Sequence, residues 1–184
     1  MTTDNTVDPV TQARCTEAES LIKNYVIVSL GLGLIPVPAA DLAAFMALQV
    51  KLVHGLAKHY DVPFKESLGK SLVASLLSGG TSALTVLGLS SLSKAIPVLG
   101  TLGGGAGVAI SAGAFTYAVG QVFLKHFESG GTLLNFDPKA TQDLFKAKLK
   151  EGMDFARNLK KHNKAETVET VEETIVSDTV ANAA

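Results

Sequence analysis

The stretch from Ser71 to Leu124 contains 54 residues and a single charged side chain, that of Lys94. Lys94 and the following Ala95-Ile96-Pro97 divide the stretch into uncharged arms of 23 and 30 residues. About 20 apolar residues cross the hydrocarbon core of a bilayer, so each arm is long enough to cross it. A soluble domain of this size could not easily bury such a segment on nearly all sides. The pattern therefore predicts a transmembrane helical hairpin over residues 71–124.

The first arm leaves two other interpretations open. Its 23 residues include seven Ser, two Thr and three Gly, so as a single helix it would partition only marginally into lipid. One alternative is a soluble helical bundle that buries the hairpin and inserts it on demand, as pore-forming proteins do. The other is a small channel whose path is lined by Ser75, Ser78, Ser82 and Thr85.

Small residues recur at four-residue spacing along both arms, which places them on one face of each helix. Small residues on a shared face let two helix backbones approach closely, and such contacts drive helix association in lipid. We therefore predict that the two arms pack on each other through these ladders, with self-association as the second use. The ladder positions are Ser71, Ser75, Gly79 and Ala83 on the first arm and Gly105, Ala109 and Gly113 on the second.

The composition narrows the classes of function. The formal net charge is −1, which argues against a nucleic-acid binder, and 18% of residues are charged against about 25% in ordinary soluble domains. Cys15 is the single cysteine, so an intramolecular disulfide and a multi-cysteine metal site are excluded. The first residues carry no basic segment followed by an apolar one, so we expect no export signal.

Proline and glycine divide the chain into segments. Pro36, Pro38 and Pro97 predict elbows between helices, because proline removes a backbone donor and disfavours helix in the residue before it. Pro63 is expected to open a further helix. Gly130-Gly131 predicts a helix end. The predicted organisation is a polar segment over 1–20, a helical membrane domain over 21–136, a basic amphipathic helix over 137–164 and an acidic disordered tail over 165–184.

The basic helix has two compatible interpretations. It begins with Asp137 as the predicted N-cap and presents a Leu/Phe face flanked by basic residues. That face docks on the rest of the protein, or the basic residues hold the helix on anionic lipid at about 1 kcal/mol per residue. The residues predicted to contact lipid are Lys146, Lys150, Arg157, Lys160 and Lys161.

No motif predicts catalysis, a cofactor or a metal. Gly69-Lys70-Ser71 matches the end of a P-loop, but Phe64 stands where the upstream glycine is required. His54 and His59 lie five residues apart, and this spacing does not bring them together on one helix face. Asp41, the one carboxylate inside an apolar block, lies at a predicted helix start, where it suits the helix dipole. We therefore expect no enzyme.

Three segments together resemble the YcjF-type family, a bacterial domain of unknown function. They are Ile35-Pro36-Val37-Pro38-Ala39-Ala40-Asp41-Leu42, the run from Ile96-Pro97-Val98 through Ala114-Phe115-Thr116-Tyr117-Ala118-Val119-Gly120, and Lys125-His126-Phe127-Glu128-Ser129-Gly130-Gly131-Thr132-Leu133. The resemblance covers about residues 21–145. It implies a membrane-associated helical module that works with a GTPase, because the domain also occurs fused behind Era-like GTPase domains. It assigns no catalytic residue, and this chain contains no GTPase portion.

The sequence therefore predicts an all-α membrane protein with a glycine-rich transmembrane hairpin and flanking amphipathic helices. Its predicted role is a non-enzymatic anchor, scaffold or membrane-remodelling component, with membrane lipids, a GTPase and a second copy of the chain as partners and no nucleic acid. Lys65 and Lys70 before the hairpin and Lys125 after it predict both termini in the bacterial cytoplasm, by the positive-inside rule. The predicted location is the cytoplasmic membrane.

Overall fold

The structure, a computed structural model, describes residues 9–32, 40–86 and 104–181. Within these ranges the chain forms α-helices and no strand, so the all-helical prediction is confirmed. The helices are α1 (Pro9–Leu32), α2 (Ala40–His59), α3 (Glu66–Val86), α4 (Gly104–Glu128) and α5 (Gln142–Ala181). The predicted elbows at Pro36, Pro38 and Pro97, and Lys94 between the two arms, lie outside the described residues.

The helices α1 and α4 run antiparallel and form the centre of the bundle. Four buried apolar residues of α1 recur at four-residue spacing and make one continuous stripe on the helix: Ala18, Ile22, Val26 and Leu30. Ile22 lies against Gly120 and Leu30 lies against Gly113, so the stripe crosses two turns of α4. The core continues through Ala118, Val119 and Phe123 of α4.

The other helices surround this pair. The helix α2 runs parallel to α4, since Phe45 contacts Phe115 at one end and Tyr60 contacts Phe127 at the other. The helix α5 packs on residues 113–117 of α4, and its buried Phe145, Leu149 and Ala156 follow helical spacing. The helix α3 packs on α2 and α5 through a short apolar face that includes Leu72, Val73 and Leu76.

Glycine ends α4 as predicted. Gly130 has a φ of 76°, a conformation that glycine adopts at little cost. The Gly130 amide donates to the Phe127 carbonyl and the Gly131 amide donates to the His126 carbonyl, and the donor–acceptor distance is 2.9 Å in each bond. This pair of bonds is the Schellman motif, which satisfies carbonyl groups left open at a helix end. The helix stop predicted at Gly130-Gly131 is therefore confirmed.

Helix starts differ from the predicted ones by a few residues. Pro63 precedes α3, which begins at Glu66, where Glu66 pairs with Lys70 over 2.6 Å. Asp137 accepts from the amides of Lys139 and Ala140, as an N-cap does, and a hydrogen-bonded turn then leads into α5 at Gln142. The turn between them explains why the basic helix starts after residue 137.

The described residues at both ends of the chain are helical. The helix α1 begins at Pro9 inside the segment expected to be merely polar, because Ala18 is buried there and Arg14 is held by the end of α2. The helix α5 continues to Ala181, although residues 165–184 were expected to be disordered. Extending an existing helix avoids the cost of nucleating a new one, which the composition of the tail did not reveal.

Charge is distributed unequally along the bundle axis. We call the end where α1 and α3 begin and α2 and α4 finish the charged end; it carries Arg14, Asp61, Glu66 and Glu128. The uncharged end comprises residues 24–32, 42–50, 71–86 and 104–124, which contain no Lys, Arg, Asp or Glu.

Candidate functional site

The helix α4 is the main candidate functional element. Among the described residues, one helix is long and apolar enough to cross a membrane, and it covers Gly107–Glu128 over 22 residues. Of its most apolar stretch, 61% is buried inside the bundle. A core helix of a folded domain can have the same length and apolarity as a membrane span. The helices that cover α4 are therefore described together with it as the candidate site. The helix α3, which contains the described part of the first arm, does not meet the same requirement.

Glycine brings α1 and α5 close to α4. A Cβ atom at Gly120 would lie 2.7 Å from Ile22 Cγ1 of α1. A Cβ atom at Gly113 would lie 3.1 Å from both Leu30 Cδ2 of α1 and Ala156 Cβ of α5. Both separations are tighter than ordinary van der Waals contact, so glycine permits the helix approach that the structure shows.

A glycine outside the predicted ladders lies directly against the backbone of α4. Gly152 of α5 is buried, and a Cβ atom there would lie 2.7 Å from the backbone oxygen of Ala114. Ring contacts flank this point, with centroids 5.4 Å apart for Phe115 and Phe145 and 4.9 Å apart for Tyr117 and Phe155. The single glycine of the basic helix was the signal in the sequence, and its four-residue spacing from Ala156 marks a small-residue pair facing α4.

Within the described residues, the nearest neighbours of Gly113 on the second ladder belong to α1 and α5. Gly113 contacts α1 and α5, and Ala109 is fully buried, while Gly105 lies near the start of α4. No described residue of the first arm is among the atoms nearest to Gly113, and packing between the two ladders stays a prediction. A face of small residues permits close approach by any helix, and the longer apolar stripes of α1 and α5 cover it here.

The first ladder lies on α3. Ser71 is exposed and its carbonyl accepts a hydrogen bond from Ser75 Oγ over 2.9 Å, while Gly79 and Ala83 lie further along the same helix. This back-bonding satisfies a serine hydroxyl within its own helix. The helices α3 and α4, which contain the described parts of the two arms, both pack on α2 and α5.

Among the described residues, three polar side chains are buried in the core. They are Ser29 of α1, Gln49 of α2 and Thr116 of α4. Gln49 Nε2 donates to Thr116 Oγ1 over 2.8 Å, and the Thr116 hydroxyl donates to the Ala112 carbonyl over 3.0 Å. Gln49 Oε1 has no hydrogen-bond partner within the part of the chain that the structure describes. A buried carbonyl oxygen without a partner costs about 1–3 kcal/mol, so this layer weakens the packing of α2 on α4.

The charged end is held by a reciprocal contact between α1 and α2. Arg14 donates from Nε to the His59 carbonyl over 3.1 Å and pairs with Asp61 Oδ2 over 2.6 Å, while His59 Nε2 contacts the Arg14 carbonyl over 2.8 Å. Asp61 has a φ of 56°, which is strained for a residue with a side chain. The Val62 amide donates to the Ala57 carbonyl over 2.8 Å and closes the turn.

Glu128 shapes the titration of two neighbours at this end. A hydrogen bond from the Cys15 thiol to Glu128, helped by burial, raises the pKa of Cys15 from 9.0 to about 11. Burial, helped by the negative charge of Glu128, raises the pKa of Tyr60 from 10.0 to about 12. A thiol whose pKa is raised is a poor nucleophile at neutral pH, so Cys15 lacks the environment of a catalytic cysteine.

The basic residues of α5 are only partly neutralised. Lys146 pairs with Asp143, Lys148 with Glu151 and Arg157 with Asp154, each three residues apart on the same helix. Hydrogen bonding to Glu151 raises the pKa of Lys148. Three of the predicted lipid contacts, Lys150, Lys160 and Lys161, form no ion pair within the described part of the chain. Residues 142–162 contain six basic and three acidic residues, so this portion is net positive.

Histidine, cysteine and carboxylate groups are not gathered into a metal site. No group of three such residues that could hold a metal ion occurs among the described residues. His126 instead orders the turn after α4, where Nε2 contacts the Thr132 carbonyl over 2.9 Å and Asn135 Oδ1 over 3.2 Å. Asn135 Oδ1 also accepts from the Thr132 amide over 2.7 Å. These contacts give His126 a structural role.

The fold and the small-residue packing are those of an all-helical bundle, and comparison with known families identifies the family. The chain belongs to the family described as Domain of unknown function (DUF697), which matches residues 3–152. The match runs from before α1 to Gly152 of α5. DUF697 is the domain found in YcjF-like proteins, so the resemblance drawn from the sequence is confirmed.

A curated relative is similar over most of the chain. Magnetosome membrane protein 22 from Magnetospirillum gryphiswaldense is 37% identical over 156 residues. The similar region covers 84% of this chain and 80% of that protein. No solved structure matches this chain.

Proposed function

We propose that this chain is a non-catalytic, membrane-associated helical module. The observation that carries the proposal is α4, in which Gly107–Glu128 has the length and apolarity of a membrane span. Lys125 and Glu128 lie in its last turn, where charged side chains reach the headgroup region. The relative that is named a membrane protein and covers most of this chain supports the same conclusion.

The finer parts of the proposal concern role, partners and orientation. The module acts as an anchor, a scaffold or a membrane-remodelling component in the bacterial cytoplasmic membrane. Its partners are membrane lipids, a GTPase and a second copy of the chain. The glycine-rich hairpin enters the membrane with both termini in the cytoplasm, since Lys65, Lys70 and Lys125 flank it. A cysteine placed at Ser93 is then labelled from outside the cell and one placed at Ser129 is not.

The second candidate function is a bundle that inserts its hairpin on demand. The observation that favours it is the cover that α1 and α5 provide over α4, which buries 61% of the apolar stretch. A helix that stayed permanently in lipid would not need this cover. The two candidates share the membrane-inserted state and differ in whether a closed bundle precedes it.

An isosteric pair of substitutions tests whether α4 enters the membrane. Gln121, half-buried and within Gly107–Glu128, becomes glutamate in one variant. Gln142, half-buried at the start of α5, becomes glutamate in the control. Both add one negative charge without changing side-chain shape. A charge away from the centre of a span costs about 2 kcal/mol, which corresponds to about thirtyfold in partition.

The measurement is the fraction of the full chain that stays in the membrane pellet after alkaline carbonate washing. We expect Gln121→Glu to shift the chain toward the supernatant and Gln142→Glu to leave it in the pellet. Release of the unmodified chain, or equal retention of the two variants, would contradict insertion of α4.

A further inference from the structure

The interface between α4 and α5 is made by apolar and small groups. Gly113 meets Ala156, and the Ala114 carbonyl lies against Gly152. Among the described side chains, neither an ion pair nor a hydrogen bond joins α5 to α4. Residues 104–124 of α4 carry no charge that could pair with one on α5. Separating the two helices therefore breaks no hydrogen bond or ion pair between described side chains.

The ion pairs within α5 would remain intact if α5 separated from α4. Its three ion pairs all join residues three apart within the helix, so they persist wherever the helix goes. Separation would uncover the apolar stripes of both helices, and water would oppose this strongly. A bilayer removes the obstacle, because its interface covers the stripe of α5 while its interior covers α4.

The outward charge of α5 specifies the kind of bilayer. Lys150, Lys160 and Lys161 form no ion pair within the described part of the chain, and residues 142–162 have a net positive charge. Basic residues on an amphipathic helix each strengthen attachment to anionic lipid by about fivefold. Neutral lipid offers no such gain. The charge complement of residues 142–162 is therefore an anionic headgroup surface.

We propose that α5 is a strap, formed by residues 142–162, which covers α4 in the closed bundle and transfers to an anionic lipid surface when α4 inserts. The proposal rests on the proposed membrane function and specifies its regulation. Anionic lipid is the trigger, because it binds the basic residues of the strap. The small residues Gly113, Gly152 and Ala156 make the contact tight in the closed state and leave no polar group unpaired in the open state.

A reversible tether tests the strap directly. With Cys15→Ser removing the native thiol, Gly113→Cys and Ala156→Cys place two thiols across the interface. The Cβ positions lie 3.1 Å apart, slightly closer than the roughly 3.8 Å typical of a disulfide. The full chain is diluted from detergent onto vesicles of phosphatidylcholine, with or without phosphatidylglycerol. Insertion is measured as the fraction that floats with vesicles after a carbonate wash.

We expect the reduced form to insert into vesicles with phosphatidylglycerol and the disulfide-linked form to remain carbonate-extractable, with insertion restored by dithiothreitol. Equal insertion of the two forms would overturn the strap and leave the membrane function standing. Failure of the untethered chain to insert into either vesicle would overturn both. Leu30 also lies 3.1 Å from a Cβ atom at position 113, so the Gly113→Cys substitution could disturb packing. Circular dichroism of the two single-cysteine variants and of the tethered chain checks that each is folded.

A charge series provides a second test that does not disturb packing. Substituting glutamine for Lys150, Lys160 and Lys161 together is expected to lower partition onto phosphatidylglycerol vesicles by about a hundredfold. The matched control replaces Lys23, Lys51 and Lys58, three exposed lysines on α1 and α2. Equal losses for the two triple variants would contradict recognition by the strap and indicate attraction by overall charge.

Discussion

Replacing Gln49 with methionine should stabilise the bundle, although most substitutions of buried residues destabilise a protein. Gln49 is fully buried between α2 and α4, and its Oε1 atom has no hydrogen-bond partner among the described residues. Methionine has a similar length and fills irregular core space. The substitution removes one buried carbonyl without a partner and one hydrogen bond to Thr116. The Thr116 hydroxyl keeps its bond to the Ala112 carbonyl and is therefore not left without a partner.

The expected magnitude follows from these two changes. Removing the unpaired carbonyl gains about 1–3 kcal/mol, and losing the Gln49–Thr116 bond costs about 0.5–1.5 kcal/mol. The net expectation for Gln49→Met is a stabilisation of about 1 kcal/mol. For a chain of this size it corresponds to a rise of about 3 °C in Tm.

Urea unfolding followed by far-ultraviolet circular dichroism measures this change, with Thr116→Val as the matched variant. Thr116→Val leaves a second buried Gln49 atom unpaired and should destabilise by about 1–3 kcal/mol. The same valine substitution in the Gln49→Met background should cost much less. A destabilisation by Gln49→Met of more than about 1 kcal/mol would refute the reasoning, because it would show that the amide is fully satisfied.

Three further predictions concern packing, the turn after α2 and the titration of Cys15. Gly152→Ala should destabilise the protein by about 1–3 kcal/mol in urea unfolding, because the new Cβ atom meets the α4 backbone. Gly107→Ala is the control: a Cβ atom there has nothing within 4 Å, so the change should be neutral or stabilise by up to about 1 kcal/mol. Asp61→Ala should unfold at lower urea than Asp61→Gly, by about 1 kcal/mol, because glycine relieves the φ of 56° and both variants lose the ion pair; equal midpoints would contradict strain there. The rate of Cys15 alkylation should rise with pH with a midpoint near pH 11, and Glu128→Gln should move this midpoint toward pH 9. Because the pKa of Cys15 is higher in the folded than in the unfolded chain, the stability of the fold should decrease as the pH rises from about 9 to about 11.

Local chemistry in the sequence was enough to predict much of the fold. Gly130 predicted the end of α4 because a positive φ depends on the residue itself. Asp41 was expected to lie at a helix start, and α2 begins one residue before it, at Ala40. Asp137 was expected to cap a helix, and its carboxylate accepts two backbone amides. Each of these features depends on residues close together in the chain.

Features that join distant residues could not be predicted in the same way. The four-residue ladder at Gly113 indicated close helix packing, but a glycine face carries no information on which helix covers it. Arg14 reaches Asp61 across 47 positions, and Gln49 reaches Thr116 across 67. Such pairs follow from how the helices assemble. Charge and hydropathy along the chain describe each helix separately and leave that assembly undetermined.

Depth-dependent fluorescence quenching tests most directly whether α4 enters the membrane. A single cysteine at Ser111 in α4, in a Cys15→Ser background, carries an environment-sensitive fluorophore, and a cysteine at the exposed Ser129 serves as the matched position. The chain is added to vesicles containing phosphatidylglycerol and acyl-chain quenchers. The account predicts that the label at position 111 is quenched by the acyl-chain quencher and protected from aqueous iodide, while the label at position 129 shows the reverse. Iodide quenching at both positions, on vesicles that still bind the chain, would contradict the insertion of α4.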